Sequence, residues 1–273
     1  MNNFKFSSTV TYQYDTPFSA FKTAEFDDGL KWLVDSGFDA AEICISNYEN
    51  VDVNQIKAKL DALKLGCSTL STGQARGLEN ISLLHEGEAM IKAQKRLIEH
   101  INAAKVLGSK VTIGLIRGLG TPGHEDEEKA LLAQRLVPVI EAAETQGVTL
   151  ILEAINRYET SLFNDAESTV DFIKNYLNNS KAVGVLWDVF HANIEDPSFE
   201  YALDKLQDKL KHVHIADSNR MFPGYGHTDF IKLGQLLKAH GFSDYLSFEC
   251  FNKPSLEVVL KKSKDFVSEM KAI

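Results

Sequence analysis

Apolar residues fall into two alternating rhythms along the chain. Short β-rich runs are separated by longer stretches in which apolar positions recur at helical spacing. In the stretch 89–107, Met90, Leu97, Ile101, Ala104 and Leu107 share one helical face, while Lys92, Lys95, Arg96 and Glu99 occupy the other. Such stretches close on a glycine, which readily takes the left-handed conformation that ends a helix, and a β-rich run then follows. The junction recurs five times: Gly37 before 39–45, Gly66 before 67–70, Gly108 before 110–113, Gly147 before 148–152 and Gly241 before 245–248. Adding the opening run 4–10 and the runs 183–187 and 212–216 brings the strands to eight, with helices expected after each, the last over 255–270. Alternating βα units imply parallel strands, and eight of them point to a closed (β/α)8 TIM barrel of the α/β class more than to an open doubly wound sheet. No Walker loop or low-complexity linker favours the open sheet.

A chain of 273 residues fits one such domain, spanning 1–273, since single barrels run to roughly 250 residues. The net charge of −9 argues against a backbone-driven nucleic-acid binder, which would carry a basic face. Three cysteines, Cys44, Cys67 and Cys250, form no C-x-x-C pair, so neither a disulfide framework nor a thiolate zinc site is indicated and a reducing cytoplasm is expected. No apolar run is long enough for a membrane span, and the N-terminus has no signal-like apolar segment. The sequence leaves open whether copies assemble as a homo-oligomer.

In a barrel of this kind the active site is assembled where strands end and βα loops begin. Glu153 ends the fifth strand, Asp188 the sixth and Glu249 the eighth, and His214 lies late in the seventh. Any one of these acidic residues could be an ordinary helix cap or solvated loop residue. Four donors on neighbouring strands are harder to dismiss, because three carboxylates in one mouth repel one another unless a cation or shared protons compensate. The donor set is mostly hard oxygen, which suits one divalent ion: Mn²⁺ first, then Co²⁺ or Mg²⁺, with Zn²⁺ less favoured. His212, on the same strand but earlier, is expected to be a hydrogen-bonded core histidine.

Four segments together, Leu152–Glu159, Leu186–Glu195, His212–Arg220 with Pro223–Asp229, and Phe248-Glu249, resemble the xylose-isomerase-like barrel superfamily, and within it the ketose 3-epimerases of the tagatose and psicose type. The resemblance implies that Glu153, Asp188, His214 and Glu249 hold the metal and that Glu153 and Glu249 form the acid/base pair. It also implies that Glu159, His191 and Arg220 bind or polarise the sugar. The chemistry agrees: a divalent ion chelated by a ketose carbonyl and the adjacent hydroxyl acidifies the carbon-bound proton and stabilises an enediolate. Two carboxylates on opposite faces can then remove and redeliver a proton, which is epimerisation. Return of the proton to the neighbouring carbon would instead give aldose–ketose or hydroxypyruvate-type isomerisation.

The first-half loops depart from that pattern. Arg76 and Arg117 follow the third and fourth strands, and with Arg157 and Arg220 they would place four arginines near the mouth. Such a rim suggests a carboxylate or phosphate on the substrate, with Arg117 as its binding residue, so a sugar acid or sugar phosphate is as credible as a free ketose. Surface ion pairs are the ordinary alternative for Arg157 and Arg220, as turn formation is for Asn156 and Asn164. His227 and Asp229 are expected to support the site or cap a helix. An apurinic endonuclease of the endonuclease IV type would need histidines after the third and fourth strands, where Ser71-Thr-Gly-Gln74 and Gly114-Leu-Ile-Arg117 stand instead. A non-catalytic binding barrel would be expected to have lost a metal ligand, and none is lost.

Overall fold

The computed structural model describes residues 4–273, so residues 1–3 of the expected domain lie outside the described part. Eight strands run in chain order: β1 (Lys5–Thr11), β2 (Ala40–Cys44), β3 (Gly66–Ser71), β4 (Lys110–Ile113), β5 (Leu150–Ala154), β6 (Val183–Asp188), β7 (Leu210–Ile215) and β8 (Tyr245–Phe248). Each pairs in parallel with its neighbours, and β1 pairs with β8, closing the barrel. The architecture is the TIM barrel expected from the alternating pattern.

Helices separate all the strands. They are α1 (Phe26–Asp35), α2 (Val53–Ala62), α3 (Gly73–Glu79), α4 (Glu88–Leu107), α5 (Glu125–Gln146), α6 (Ala166–Tyr176), α7 (Val189–Glu195), α8 (Phe199–Leu206), α9 (Phe230–Ala239) and α10 (Leu256–Ala272). On α4 the expected apolar face is the one that packs inward, with Leu97, Ile101, Ala104 and Leu107 buried. Among the described residues no helix is long and apolar enough to cross a membrane.

Four of the five junction glycines, Gly37, Gly108, Gly147 and Gly241, take the positive φ their place requires. Gly66 does not. There the left-handed residue is Lys64, at φ 56°, and Gly66 opens β3 instead. A Cβ on Gly66 would stand 3.0 Å from the hydroxyl of Tyr245, so close packing at the barrel floor explains the glycine.

The βα loops at the C-terminal ends do more than connect. Short α3 and α7 follow β3 and β6 at the mouth, and α7 begins directly on Asp188. Asp229 caps α9 by accepting from Lys232 N, the capping role foreseen for it. All three cysteines are buried and free of disulfides.

Candidate active site

The strand ends converge on a cavity of about 410 Å³ at the C-terminal face, lined by Glu153, Glu159, His191, His214, Arg220 and Glu249 among others. One donor atom each from Glu153, Asp188, His214 and Glu249 lies within 4.8 Å of the other three. His214 Nδ1 stands 3.6 Å from Glu249 Oε2, 3.8 Å from Asp188 Oδ2 and 4.0 Å from Glu153 Oε1.

Local structure fixes each donor. Asp188 Oδ1 accepts from Phe190 N at 2.7 Å and His191 N at 3.3 Å as the cap of α7, which leaves Oδ2 facing the centre. Glu153 reaches over the end of β4, and a Cβ on Gly114 would lie 2.6 Å from its Oε2. The glycine after β4 makes room for the carboxylate. Glu249 accepts from Arg220 Nη2 at 3.1 Å, and Arg220 Nη1 donates to Glu159 Oε1 at 3.2 Å. The Arg220 guanidinium is stacked between Phe18 and Phe190, 4.7 and 4.9 Å from their ring centres.

His214 is anchored from behind by Glu42, a residue the sequence reading did not single out. Its Nε2 lies 3.1 Å from both Glu42 oxygens, and His212 Nε2 lies 3.2 Å from Oε2. His212 is therefore the core histidine expected of it. Burial alone would raise the Glu42 carboxyl, but the two imidazoles hold it well below the usual carboxylate range. The signal for Glu42 was present: an acidic residue inside the apolar run 39–45 can only be buried with a partner.

Electrostatics divide the carboxylates. Burial, followed by the charges of Glu249 and Asp188, pushes Glu153 up to about 8. Asp188 is also driven upward by burial, yet His191, His214 and Arg220 bring it well below its ordinary value. Burial lowers His214, but Glu42 and Glu249 more than reverse this and raise it well above a free imidazole.

The residues fit a divalent cation on two counts. Asp188 Oδ2 and His214 Nδ1 are buried at the centre without a hydrogen-bond partner, an arrangement that an ion would satisfy. Three carboxylate oxygens and one imidazole nitrogen also make a donor set for a hard or borderline ion.

The expected arginine rim does not assemble. Arg117 is wholly buried behind the wall, where Nη2 donates to Leu162 O at 2.9 Å and the guanidinium lies over Phe163. Burial lowers it to about 10, with Glu153 pulling in the other direction. It does not line the cavity, so the expectation that it holds an anionic group on the substrate is corrected. Arg157 pairs on the surface with Glu195, and Arg76 donates to Asn80 Oδ1. Of the four arginines only Arg220 reaches the cavity, where Asp15, Glu153, Glu159 and Glu249 outnumber it. Asn164 bonds to the carbonyls of Ile155 and Thr160 as a turn former; Asn156 also closes a turn, accepting from Tyr158 N, and in addition its Nδ2 reaches Glu159 and His191.

The model of the xylose isomerase-like TIM barrel family matches residues 30–270. The chain belongs to this family. Among its relatives, the L-ribulose 3-epimerase of Mesorhizobium japonicum is 30% identical over 242 residues, 88% of this chain and 80% of that protein. The 3-dehydro-D-guloside 4-epimerase of Escherichia coli is 27% identical, with 81% of this chain and 85% of that one aligned. A solved structure of an L-ribulose 3-epimerase superposes with a TM-score of 0.76 at 26% identity, covering all of this chain (100%) and 87% of the other.

Proposed function

We propose that this family member is a divalent-metal-dependent sugar epimerase that inverts the carbon next to the carbonyl of a neutral ketose, with Mn²⁺ as its preferred ion. The observation that carries the reading is the convergence of Glu153, on β5, and Glu249, after β8, with Asp188 and His214, whose Oδ2 and Nδ1 lack partners. The similarity to epimerases of ribulose and a keto-guloside supports the same class.

Glu153, Asp188, His214 and Glu249 would hold the ion. When bound, it supplies positive charge to the carbonyl and adjacent hydroxyl oxygens, which acidifies the carbon between them. Glu153 and Glu249 then exchange a proton with that carbon from its two faces, one as base and the other as acid. Burial, followed by the charges of Glu249 and Asp188, holds Glu153 near 8 before an ion enters. Arg220 orients Glu249, and Glu159, His191 and Arg220 supply polar groups for the sugar hydroxyls. Four carboxylates outnumber one guanidinium on the lining even with the ion's two charges added, which favours an uncharged polyol over a sugar phosphate or sugar acid.

The test is a panel of ketoses and their phosphorylated and carboxylated analogues, incubated with Mn²⁺ in deuterated water. Deuterium is expected at the carbon beside the ketone, together with the epimeric ketose, for the neutral sugars. Label only at the terminal carbon, with an aldose as product, would instead establish an isomerase.

A further inference from the structure

The side-chain amide of Asn156 is buried beneath the mouth and makes three hydrogen bonds. Its Oδ1 lies 2.9 Å from Tyr158 N, and its Nδ2 lies 3.0 Å from Glu159 Oε1 and 2.7 Å from His191 Nδ1. The orientation of the amide is not free. A backbone N–H can only donate, so the atom facing Tyr158 must be the oxygen. Turning the amide over would set its NH₂ against that N–H and its oxygen against the Glu159 carboxylate, opposing like partners at both ends. Glu159 Oε1 also accepts from Arg220 Nη1, which agrees with its being an acceptor here.

One consequence reaches His191. With Nδ2 donating one hydrogen to Glu159, its second hydrogen points at His191 Nδ1. That ring nitrogen must offer a lone pair, because an N–H there would meet another N–H at 2.7 Å. The imidazole proton then sits on Nε2, which faces the cavity 3.9 Å from Glu153 Oε1 and 3.9 Å from Asp188 Oδ2. These distances are too long for direct hydrogen bonds and leave the Nε2–H available to a guest. The imidazole itself is buried, so solvent cannot supply an alternative partner.

We propose that Asn156 is a positioning residue that locks His191 in the Nε2–H form, making His191 a fixed hydrogen-bond donor to a substrate oxygen and barring it from acting as a base. The part played towards substrate rests on the epimerase reading above. The position of the proton does not.

The experiment uses protein labelled with ¹⁵N in its histidine rings and loaded with diamagnetic Mg²⁺, and the His191 signals are identified by their loss in His191→Gln. Long-range ¹H–¹⁵N correlation should show a pyridine-like Nδ1 and a pyrrole-like Nε2 for His191. In Asn156→Asp an accepting oxygen replaces the donor, so Nδ1 should gain a proton and become pyrrole-like. Asn156→Ala should lower kcat/KM by about 3- to 10-fold, the scale of one neutral hydrogen bond, mainly through kcat. A pyrrole-like or charged Nδ1 in the wild type overturns the proposal, even should Asn156→Asp fail to fold. So does a His191 pattern unchanged in folded Asn156→Asp, which would reduce Asn156 to a structural residue. If the predicted pattern appears but no ketose is epimerised, the lock stands and the epimerase reading falls.

Discussion

The carboxylate of Glu42 and the imidazole of His214 meet inside the barrel at 3.1 Å, so that a residue of β2 aims a residue of β7 at the mouth. Nε2 donates to Glu42, and Nδ1 is left to point at Asp188 and Glu249. Supporting carboxylates of this kind fix ring orientation and raise the basicity of the coordinating nitrogen. Glu42→Gln is accordingly expected to weaken Mn²⁺ binding by about 10- to 100-fold, measured by competition with a calibrated chelator. Unchanged affinity in the folded variant would show that the ring is held by packing alone.

On the proposed mechanism, Glu153→Gln and Glu249→Gln each remove a charged ligand and one partner of the proton exchange. Each should lower kcat by at least about 100-fold, the lower end of general acid–base contributions. Exchange of the substrate's carbon-bound deuterium, followed by NMR, separates the two roles. A variant that still exchanges but no longer epimerises has kept one face of the reaction. Near-normal turnover in either would remove that residue from the pair.

Metal binding should depend on pH with a definite sign. In the ion-free site Glu153 carries a proton up to about 8, and His214 also holds one more tightly than a free imidazole. An ion needs both groups deprotonated, so binding releases protons and affinity falls as the pH falls through that value, by roughly tenfold or more per unit. Titration calorimetry in buffers of different ionisation enthalpy measures the protons released. EDTA should inactivate the enzyme and Mn²⁺ restore it; full activity in verified metal-free protein would refute the metal's role.

Arg117→Ala tests the corrected place of that residue. Deleting a wholly buried side chain that holds Leu162 O should destabilise the fold by about 2–5 kcal/mol, read from denaturant unfolding. Activity towards a neutral ketose and its anionic analogue should change by the same factor. A selective loss of the anionic substrate would return Arg117 to the cavity.

Much of this molecule was legible in its sequence for a physical reason. Glycines at helix ends and short apolar runs are local signals, and eight of the resulting units leave little choice but closure. The four converging donors were legible because each sits at the same point of its unit. Arg117 misled because position after a strand says nothing about which way a side chain turns in a short 3-10 segment, here Leu115–Arg117. Glu42 was missed, and Asn156 was read only as a turn former, for a related reason. Their partners, His214 and His191, lie 172 and 35 residues away, and only the folded barrel brings them together.

The order of the strands divides the mouth into two walls. All four converging donors come from β5 onward, whereas Thr9, Phe18, Cys44, Gln74 and Leu115 furnish the facing wall from the first half. On the proposed reading, a chimera joining the first half of one relative to the second half of another should keep its chemistry, while first-half substitutions alter only the facing wall. Two first-half residues stand outside that freedom. Glu42 must remain because it aims His214, and Gly114 must remain because any side chain there would occupy the space of the Glu153 carboxylate.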